Sequence, residues 1–325
     1  MPGSSSGRCS RGSCGERAVI DQPYAGAHLC RAHLGDSVWE RFRREMHRQA
    51  PGLSGGTFAV ALSGGKDSSV LLSLVQRYFS DRRDVEVVAL SVDEGIPGYR
   101  PASLLAAQKL TRELGLRHHV VSFEGALGTT TDTTAEVRSE TPCAFCGVWR
   151  RQLLNRTARE LGASRLALGF NLDDLAQTVL MNLVRGEPGR LAQMAPHVTS
   201  QPGLVPRLAP LATIPEREIY LYARLSGLPF DHQECPHAPR AARNLYRELL
   251  WRLEESQPGA RHALLRTREK LLPALLAGER GPGPARCPSC GEPSSGGLCR
   301  ACQFLAPTGE TGREAPGPAE ERQAS

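Results

Sequence analysis

TFAVALSGGKDSSVLLSLVQRY, residues 57–78, decides the fold of this chain. Its first six residues, TFAVAL, form a short apolar run of the kind expected for a buried parallel strand. SGGKDS (63–68) follows at once, and then apolar residues recur at the spacing of an amphipathic helix. A strand that turns through two glycines and a lysine into a helix is typical of phosphate-binding loops. The stretch therefore predicts a nucleotide-binding α/β unit.

The loop at 63–68 differs from a Walker A motif. That motif requires a serine or threonine directly after its lysine, as a hydroxyl ligand for magnesium. Here Asp67 follows Lys66, so the usual chemistry at the γ-phosphate is not expected. Gly64 and Gly65 still allow phosphate oxygens to approach the backbone, and Lys66 adds a positive charge.

Strand and helix patterns alternate along the central part of the chain. Apolar runs predict further strands at 84–92, 118–123 and 165–170. Helical spacing and helix-end signals predict helices at 36–50, 101–115, 145–162, 173–186 and 217–227, and an arginine-rich helical segment at 240–277. The proline-rich stretch 188–213 is predicted to be a long loop. The alternation predicts an α/β fold with a parallel sheet, whose ligands bind at the carboxyl ends of the strands.

Composition and charge exclude some classes of protein. No apolar run reaches the length of a membrane span, and the polar start MPGSSSGRCSRG lacks the apolar core of a signal peptide. We therefore expect a cytoplasmic protein without a membrane partner, in which thiols stay reduced. The net charge of +6 and the pI of about 8.9 are compatible with a polyanionic partner but identify none.

Seven of the ten cysteines fall into two sets near the ends of the chain. Each set supplies four soft ligands in two short knuckles, which is typical of closed, tetrahedral, structural zinc. The N-terminal set is Cys9, Cys14, Cys30 and His33. The C-terminal set, with the more specific spacing C-x2-C-x8-C-x2-C, is Cys287, Cys290, Cys299 and Cys302. The sequence therefore predicts two Zn²⁺ ions.

Cys143, Cys146 and Cys235 remain. Three thiolates can hold a metal site that keeps one coordination position open, as catalytic sites do. Iron–sulfur clusters are normally held by four cysteines, so a cluster held by three would expose one iron to an outside ligand. The alternative is a redox dithiol at Cys143 and Cys146, with Cys235 an unrelated core thiol. Spacing alone leaves these readings equally open.

Several ordered motifs resemble one family. SGGKDS resembles the PP-loop of the ATP pyrophosphatase superfamily, and VDEGI (92–96) follows the second strand, where that superfamily receives adenosine. GFNLDDLAQTVLMNLVRG (169–186) resembles a segment of one branch, the tRNA 2-thiouridine synthetases of the TtuA type. The same branch carries C-x-x-C-G-V-x-R-R, here CAFCGVWRR (143–151), a later lone cysteine and two terminal zinc fingers. The resemblance covers residues 9–302, but Phe170 stands where the family usually has histidine, so that residue's role is not assigned here.

The resemblance implies a [4Fe–4S] cluster on Cys143, Cys146 and Cys235, with a fourth iron that accepts the incoming sulfur. In this branch the O2 atom of a tRNA uridine attacks the α-phosphate of ATP, pyrophosphate leaves, and sulfur then displaces AMP from C2. The implied sulfur donor is a thiocarboxylated ubiquitin-like protein or free sulfide, and the implied assembly is a homodimer. A rival mechanism uses a persulfide on Cys143 or Cys146 with disulfide turnover.

The resemblance also assigns the residues that bind MgATP. Lys66, Asp67 and Asp174 are the implied catalytic residues, with Asp67 or Asp174 as the carboxylate ligand of Mg²⁺. Asp173 is expected to cap the helix that Asp174 serves, and Arg150 and Arg151 join Lys66 in neutralising phosphate charge. The whole implied nucleotide site is Ala61, Leu62, Ser63, Gly64, Gly65, Lys66, Asp67, Ser68, Val92, Arg150, Gly169 and Asp174.

Two other functions remain open. An ATP pyrophosphatase that adenylates for amide formation, such as a lysidine synthase, would not need ten cysteines. A non-catalytic, zinc-bound RNA scaffold would not need an intact SGGKDS loop and Asp173–Asp174 pair. RNA contacts could come from the basic residues 41–48 with Trp39 and Phe42, from the zinc modules or from the arginines of 240–268, whereas a solvated helix face is the more common meaning of such charge runs.

The predicted fold is thus a parallel-sheet PP-loop domain, adenine nucleotide α-hydrolase-like, flanked by zinc fingers. Its predicted parts are an N-terminal zinc finger at 1–35, a basic helix and linker at 36–56, the PP-loop domain with the iron–sulfur site at 57–235, a helical segment at 236–284, a C-terminal zinc ribbon at 285–302, and a disordered tail at 303–325.

Overall fold

A computed structural model describes residues 7–197, 201–240, 243–278 and 285–306. Its strands are β1 (Ile20–Gln22), β2 (Ala27–Leu29), β3 (Gly56–Ala61), β4 (Val85–Asp93), β5 (Arg117–Ser122), β6 (Arg165–Ala167), β7 (Arg207–Leu208), β8 (Ala285–Arg286) and β9 (Pro293–Ser294). Its helices are α1 (Arg31–Gln49), α2 (Lys66–Tyr78), α3 (Arg100–Glu113), α4 (Phe123–Leu127), α5 (Thr131–Val137), α6 (Pro142–Glu160), α7 (Leu172–Val184), α8 (Pro188–Ala192), α9 (Glu216–Leu225), α10 (Arg243–Ser256), α11 (Ala260–Gly278) and α12 (Arg300–Leu305).

The central sheet has five parallel strands in the order β5-β4-β3-β6-β7. The chain winds outward from β3 through β4 to β5, and then crosses to the other side of β3 to form β6 and β7. The strand order therefore reverses beside β3, and a crevice opens there at the carboxyl ends of the strands. This arrangement confirms the expected parallel sheet and places the loop after β3 in that crevice.

Alternate residues of β3 explain its continuous apolar run. Phe58 and Val60 are fully buried in the core that α1, α2, α3 and α9 form on one face of the sheet. Ala59 is equally buried but belongs to the core on the other face, where α6 packs. A strand that is covered on both sides has no polar face, so its sequence cannot alternate.

The predicted long loop at 188–213 contains two regular elements that the sequence analysis missed. Pro188–Ala192 is helical as α8, and Arg207–Leu208 is the edge strand β7, which pairs with β6. A five-residue helix and a two-residue strand are too short to show a period. For the same reason α4, α5 and the finger strands β1 and β2 were not predicted.

Helix ends also differ from the expected ones. α1 begins at Arg31 rather than at 36, so His33 lies within its first turn. α6 begins at Pro142 rather than at 145, because a proline suits the first helical position and Thr141 precedes it in extended conformation. Both cysteines of the C-x-x-C pair therefore lie in the first turns of α6.

The C-terminal part differs in two respects. The predicted helical segment at 240–277 forms two helices, α10 and α11, with a turn between them. Residues 303–305, expected in the disordered tail, continue α12, and the remainder of that tail at 307–325 lies outside the described residues. Within the described ranges, no helix is long and apolar enough to cross a bilayer.

Candidate active site

The loop between β3 and α2 has a backbone shape that only glycine permits at Gly64. Its φ of 87° lies in the left-handed region, and an added Cβ would lie 1.9 Å from the carbonyl oxygen of Ser103. On the far side of the loop, Asp231 N donates to the Gly64 carbonyl oxygen over 2.9 Å. Gly64 is thus clamped between α3 and the segment that follows α9.

Hydrogen bonds within the loop leave the start of α2 open. Ser63 N donates to Ser68 Oγ over 3.1 Å, and Ser68 Oγ donates to the Gly65 carbonyl oxygen over 3.0 Å. No side chain caps α2, whose N-cap residue is Gly65. Since the first N–H groups of a helix have no partner within it, they remain available to an anion, and the helix dipole favours one there. The local geometry therefore fits the phosphates of a nucleotide.

Lys66 lies in the first turn of α2 between two carboxylates. Its Nζ is 3.0 Å from Asp67 Oδ2 and 2.7 Å from Glu216 Oε1, the latter on α9. Burial alone would lower the pKa of Lys66, but the two carboxylates outweigh it and raise that pKa. Burial likewise tends to raise the pKa of Glu216, and Lys66 reverses this and lowers it. Lys66 is therefore a fixed, permanent cation at the edge of the loop.

Asp67 and Asp174 meet through Asn171. Asn171 Nδ2 donates to Asp67 Oδ1 over 2.9 Å, and Asp174 N donates to Asn171 Oδ1 over 2.9 Å. Arg243 on α10 lies 3.1 Å from Asp174 Oδ1. Burial raises the pKa of Asp174 to about 6, and the nearby Asp67 charge adds to this, whereas Arg243 opposes it. Two carboxylates so close would both gain from a divalent cation, whose preferred ligands are oxygens.

Asp173 has a different role from the one that the sequence suggested. Asn171 is the N-cap of α7, and Asp174 rather than Asp173 completes its capping box. Asp173 instead pairs with Arg261 of α11 and accepts a hydrogen bond of 2.8 Å from Glu216 N. It fixes α7, α9 and α11 to one another at the crevice.

The other implied nucleotide residues lie along the same edge of the sheet. Ala61 ends β3, and Leu62 follows it, buried. Val92 is buried near the end of β4. Gly169, just after β6, packs so closely on α2 that an added Cβ would lie 3.2 Å from Ser68 N. The structure therefore gathers these residues around one crevice, and their contact with a nucleotide stays a prediction.

Three thiols, Cys143, Cys146 and Cys235, form the second group of candidate site residues. Cys143 and Cys146 occupy the start of α6, and Cys235 comes from the segment that begins with the loop-bound Asp231. Burial raises the pKa of Cys143, and Cys146 raises it further. Burial also raises the pKa of Cys235, with Cys146 and Cys143 adding to the shift. The charge of each thiol therefore affects the pKa of its neighbours, although 92 positions separate Cys143 from Cys235 along the chain and 89 separate Cys146 from it.

A chain of charged contacts joins the phosphate loop to this thiol set. Arg100 Nη1 donates to the Ser63 carbonyl oxygen over 2.6 Å, and its Nε lies 2.9 Å from Glu94 Oε2. The other oxygen of the buried Glu94 lies 2.7 Å from Arg150 Nε. Arg150 Nη2 in turn lies 3.1 Å from Cys146 Sγ. Arg150, expected at the phosphates, thus contacts a carboxylate and a thiol in this structure.

The two terminal sets each bring four ligand atoms together. Cys9 Sγ and Cys30 Sγ lie 3.2 Å and 3.3 Å from His33 Nδ1. Cys290 Sγ lies 3.5 Å from Cys299 Sγ, and Cys287 Sγ 3.8 Å from Cys302 Sγ. Thiolates on one tetrahedral zinc are roughly 3.8 Å apart, given Zn–S bonds of about 2.3 Å. Among the described residues, these are the two groups whose ligand atoms all lie within 4.8 Å of one another.

The central thiols are therefore arranged differently from the zinc sets. Cys143, Cys146 and Cys235 do not form such a compact group within the described chain. Thiolates that bind different irons of a cluster lie further apart than thiolates of a single ion. The donor set and its wider spacing fit a cluster better than one zinc ion.

The RNA contacts expected from the first helix need correction. Phe42 is completely buried, and Arg41 pairs with the buried Glu218 of α9, so neither faces solvent as a stacking or phosphate contact. Trp39 is partly buried against Phe42, with Arg77 over its ring. Several arginines of 240–268 also have partners within the protein. Arg243 and Arg261 pair with the carboxylates of the site. Arg268 donates hydrogen bonds to the carbonyl oxygens of Leu191 and Met194.

Glu94, Asn171, Glu216 and Arg243 are site residues that sequence reasoning did not select. Glu94 and Asn171 lie inside the quoted segments VDEGI and GFNLDD, so their motifs were recognised but their roles were not. No sequence motif indicated Glu216 or Arg243, because each reaches the site only through the packing of its helix.

Comparisons with known proteins agree with this geometry. Residues 39–254 match the family model of the PP-loop domain, and residues 8–34 match that of the N-terminal LIM domain of the 2-thiouridine synthetase TtuA. The tRNA 2-thiolation protein NcsA of Haloferax volcanii is 39% identical, over 90% of this chain and 97% of its own. The cytoplasmic tRNA 2-thiolation protein 1 of Caenorhabditis elegans is 38% identical, over 91% and 80%.

A solved structure extends the likeness to three dimensions. It is that of the U34-tRNA thiolase NcsA from Methanococcus maripaludis with its [4Fe–4S] cluster, which is 32% identical to this chain. The two superpose with a TM-score of 0.79, over 91% of this chain and 95% of the other.

Proposed function

Because the chain belongs to the PP-loop family of tRNA 2-thiolation proteins, we propose that it is a sulfurtransferase that uses ATP to replace O2 of a tRNA uridine with sulfur. The relative of known structure is named for U34, so uridine 34 is the position that we assign to this chain. The relatives named cytoplasmic support the same location here.

One observation carries this proposal: a single segment, residues 231–235, contacts the phosphate loop and also supplies one of the three thiols. The segment that bonds to Gly64 through Asp231 continues directly to Cys235. One short segment therefore connects the activating site with the sulfur-handling site. A uridine between them can be activated at O2 and attacked at C2 without leaving the protein.

The chain's own residues bind and polarise the nucleotide in this scheme. The uncapped start of α2 holds the pyrophosphate of ATP, and Lys66 neutralises charge as it leaves. Asp67 and Asp174 hold Mg²⁺, with Asn171 fixing their separation. The uridine O2 attacks the α-phosphate, and pyrophosphate departs. Attack of hydrosulfide on C2 then forms the C–S bond and breaks the C2–O bond, so that AMP leaves with the former uridine oxygen, a proton is released and 2-thiouridine remains.

Cys143, Cys146 and Cys235 would hold a [4Fe–4S] cluster, which supplies an open iron position for incoming sulfur when it is bound. Arg150 sits between Cys146 and Glu94, where it stabilises negative charge on the thiolate. The source of sulfur is proposed to be a thiocarboxylated ubiquitin-like protein or sulfide. The terminal sets are proposed to hold one structural Zn²⁺ each, and the enzyme to work as a homodimer.

The test combines tRNA analysis with one variant. A strain that lacks this gene should lose 2-thiouridine at position 34, measured by mass spectrometry of its tRNA, and the wild-type gene should restore it. Cys235→Ala should lose iron, keep zinc and ATP binding, and fail to restore 2-thiouridine.

Two results would contradict parts of this scheme. Unchanged 2-thiouridine in the deletion strain would overturn the function. Full activity of iron-free wild-type protein would instead favour the persulfide mechanism at Cys143 or Cys146.

A further inference from the structure

An open groove of about 750 Å³ lies outside the active site described above. One wall is α1, and the other is the turn at 257–260 with the first two turns of α11. The N-terminal finger contributes Tyr24 to it. None of the reaction steps proposed so far uses this surface.

Arginines line both walls of the groove. Arg41, Arg44 and Arg48 recur three and four residues apart and so share one face of α1, and Arg266 of α11 faces them. Arg41 pairs with Glu218, and Arg48 with Glu45 and Glu269. Arg44 and Arg266 are exposed and have no acidic partner in the part of the chain that the structure describes. The groove therefore carries two guanidinium groups that form no ion pair with a carboxylate of the described chain.

The floor holds a polar atom that also lacks a partner. The rings of Tyr24 and His262 lie 4.5 Å apart, and the Tyr24 hydroxyl is fixed by Glu218 and Arg41. His262 Nδ1 is buried and makes no hydrogen bond to any described residue. Buried nitrogen atoms normally form hydrogen bonds, so an unpaired nitrogen in the floor of a groove indicates that a ligand supplies the missing partner.

A series of ion pairs and hydrogen bonds links one wall of the groove to the nucleotide loop. Arg261, the residue before His262, pairs with Asp173 in the crevice. Asp173 also accepts a hydrogen bond from Glu216 N, and Glu216 pairs with Lys66. The α11 wall of the groove is thus connected through these contacts to the first turn of α2, where the phosphate loop ends.

We propose that this groove binds the phosphate backbone of the RNA substrate, away from the uridine that is modified. This assignment rests on the proposed function, because that function supplies the RNA. Guanidinium groups on two facing helices suit a polyanion that runs between them, since each can donate two parallel hydrogen bonds to a phosphate. A single small anion would require the cations to converge on one point, and these are spread along the groove.

The experiment compares two double variants of equal charge. Arg44→Gln with Arg266→Gln removes both unbalanced charges from the groove. Arg43→Gln with Arg83→Gln removes two exposed charges elsewhere and is the matched control. The affinity for unmodified tRNA is measured at several salt concentrations on full-length, metal-loaded protein. ATP binding and thermal unfolding are measured on the same samples.

The groove variant should bind tRNA about tenfold more weakly at ~0.1 M salt and lower the salt slope by about 1 to 2, while the control stays at wild type. Its ATP affinity and unfolding temperature should not change. Equal effects of both variants, or unchanged tRNA affinity, would overturn the assignment. Unchanged tRNA affinity together with loss of binding to an acidic sulfur-carrier protein would mean that the groove binds that protein instead of RNA. Absence of thiolation by wild-type protein would instead refute the proposed function, and so the two failures are distinct.

Discussion

Lys66 is held by Asp67 and Glu216 before any phosphate is present. In the proposed mechanism these contacts hold its charge in the first turn of α2, where it would neutralise the leaving pyrophosphate. We expect Lys66→Ala to reduce tRNA-dependent pyrophosphate release by about 10²-fold, the usual loss when one preorganised donor is removed. Its unfolding temperature should change little, because these ion pairs are partly exposed.

The matched control is Lys109→Ala, which removes an exposed lysine paired with Glu113 on α3. It should keep full activity. Wild-type pyrophosphate release by Lys66→Ala would show that the loop does not handle phosphate in the proposed way.

His118 predicts how stability depends on pH. Burial lowers its pKa, with Arg100 adding to the shift, and its Nε2 lies 2.7 Å from Ser91 Oγ, which itself donates to the Leu62 carbonyl oxygen. Because the folded pKa lies below the unfolded value of about 6.5, the unfolded chain takes up the proton first. The contribution of His118 to the free energy of unfolding should therefore fall as the pH drops below about 6.5, and remain level above it.

His118→Gln tests this dependence, since glutamine can still donate to Ser91 Oγ but does not titrate. Urea unfolding of the variant at pH 5.5 and 7.5 should differ less than that of the wild type. His262, whose pKa burial also lowers, contributes with the same sign as His118, whereas Asp174, whose pKa burial raises to about 6, contributes with the opposite sign. An identical pH dependence in both proteins would exclude His118 as a contributor.

The motif residues could be predicted from the sequence, and their long-range partners could not. Lys66, Asp67 and Asp174 lie in short patterns whose chemistry is local to a loop or a helix start. Glu216 is 150 positions from Lys66, and Arg243 is 69 from Asp174. Their contacts depend on how α9 packs on α2 and how α10 packs on α7, which no local pattern encodes. The interpretation of Phe42 as an RNA contact was wrong for the same reason, because the pattern of a helix face does not show whether another element covers that face.

At the scale of single elements, the turn from β3 into α2 depends on Gly64. Gly64→Ala should cost about 3 kcal/mol or more of unfolding free energy, because the new methyl group meets the Ser103 carbonyl oxygen and the φ of 87° strains it. ATP binding, followed by calorimetry, should be lost even where the variant is folded.

Gly98 provides the matched comparison. Its φ is 74°, but an added Cβ would meet no atom within 4 Å. Gly98→Ala should therefore cost only about 1 kcal/mol, from backbone strain alone, and keep ATP binding. Equal losses in the two variants would show that strain, not the close approach to α3, governs the loop.

Element length decided which parts of the fold were predictable. β3 and β4 are long and buried on both faces, so their apolar runs are visible in the sequence. β7 has two residues, too few for any period to show, whereas β6 has three and was predicted within the longer apolar run 165–170. Both lie on the far side of β3, so the strand order followed from the structure alone.

At the scale of the whole molecule, the C-terminal ribbon is part of the core rather than an appendage. Phe304 of α12 packs edge-on against Phe145 of α6, and Trp149 Nε1 donates to the Ala301 carbonyl oxygen over 3.2 Å. Arg159 of α6 also grips Glu292 of the ribbon through two contacts. The C-terminal ribbon thus supports the helix that carries Cys143 and Cys146.

Loss of the zinc ion proposed for the ribbon should therefore change the environment of Trp149, which is completely buried. We expect Cys302→Ser to release one zinc, lower the unfolding temperature by several degrees and shift Trp149 emission to the red, because metal binding and folding of such modules are linked. Trp39→Phe and Trp251→Phe leave Trp149 as the only reporter among the chain's three tryptophans. Cys14→Ser, which removes a ligand from the other finger, should release zinc without that shift, since the finger packs with α1 on the opposite face of the sheet. Red-shifted emission in both variants would mean that zinc loss unfolds the whole protein, and unshifted emission in both would mean that α6 is stable without the ribbon.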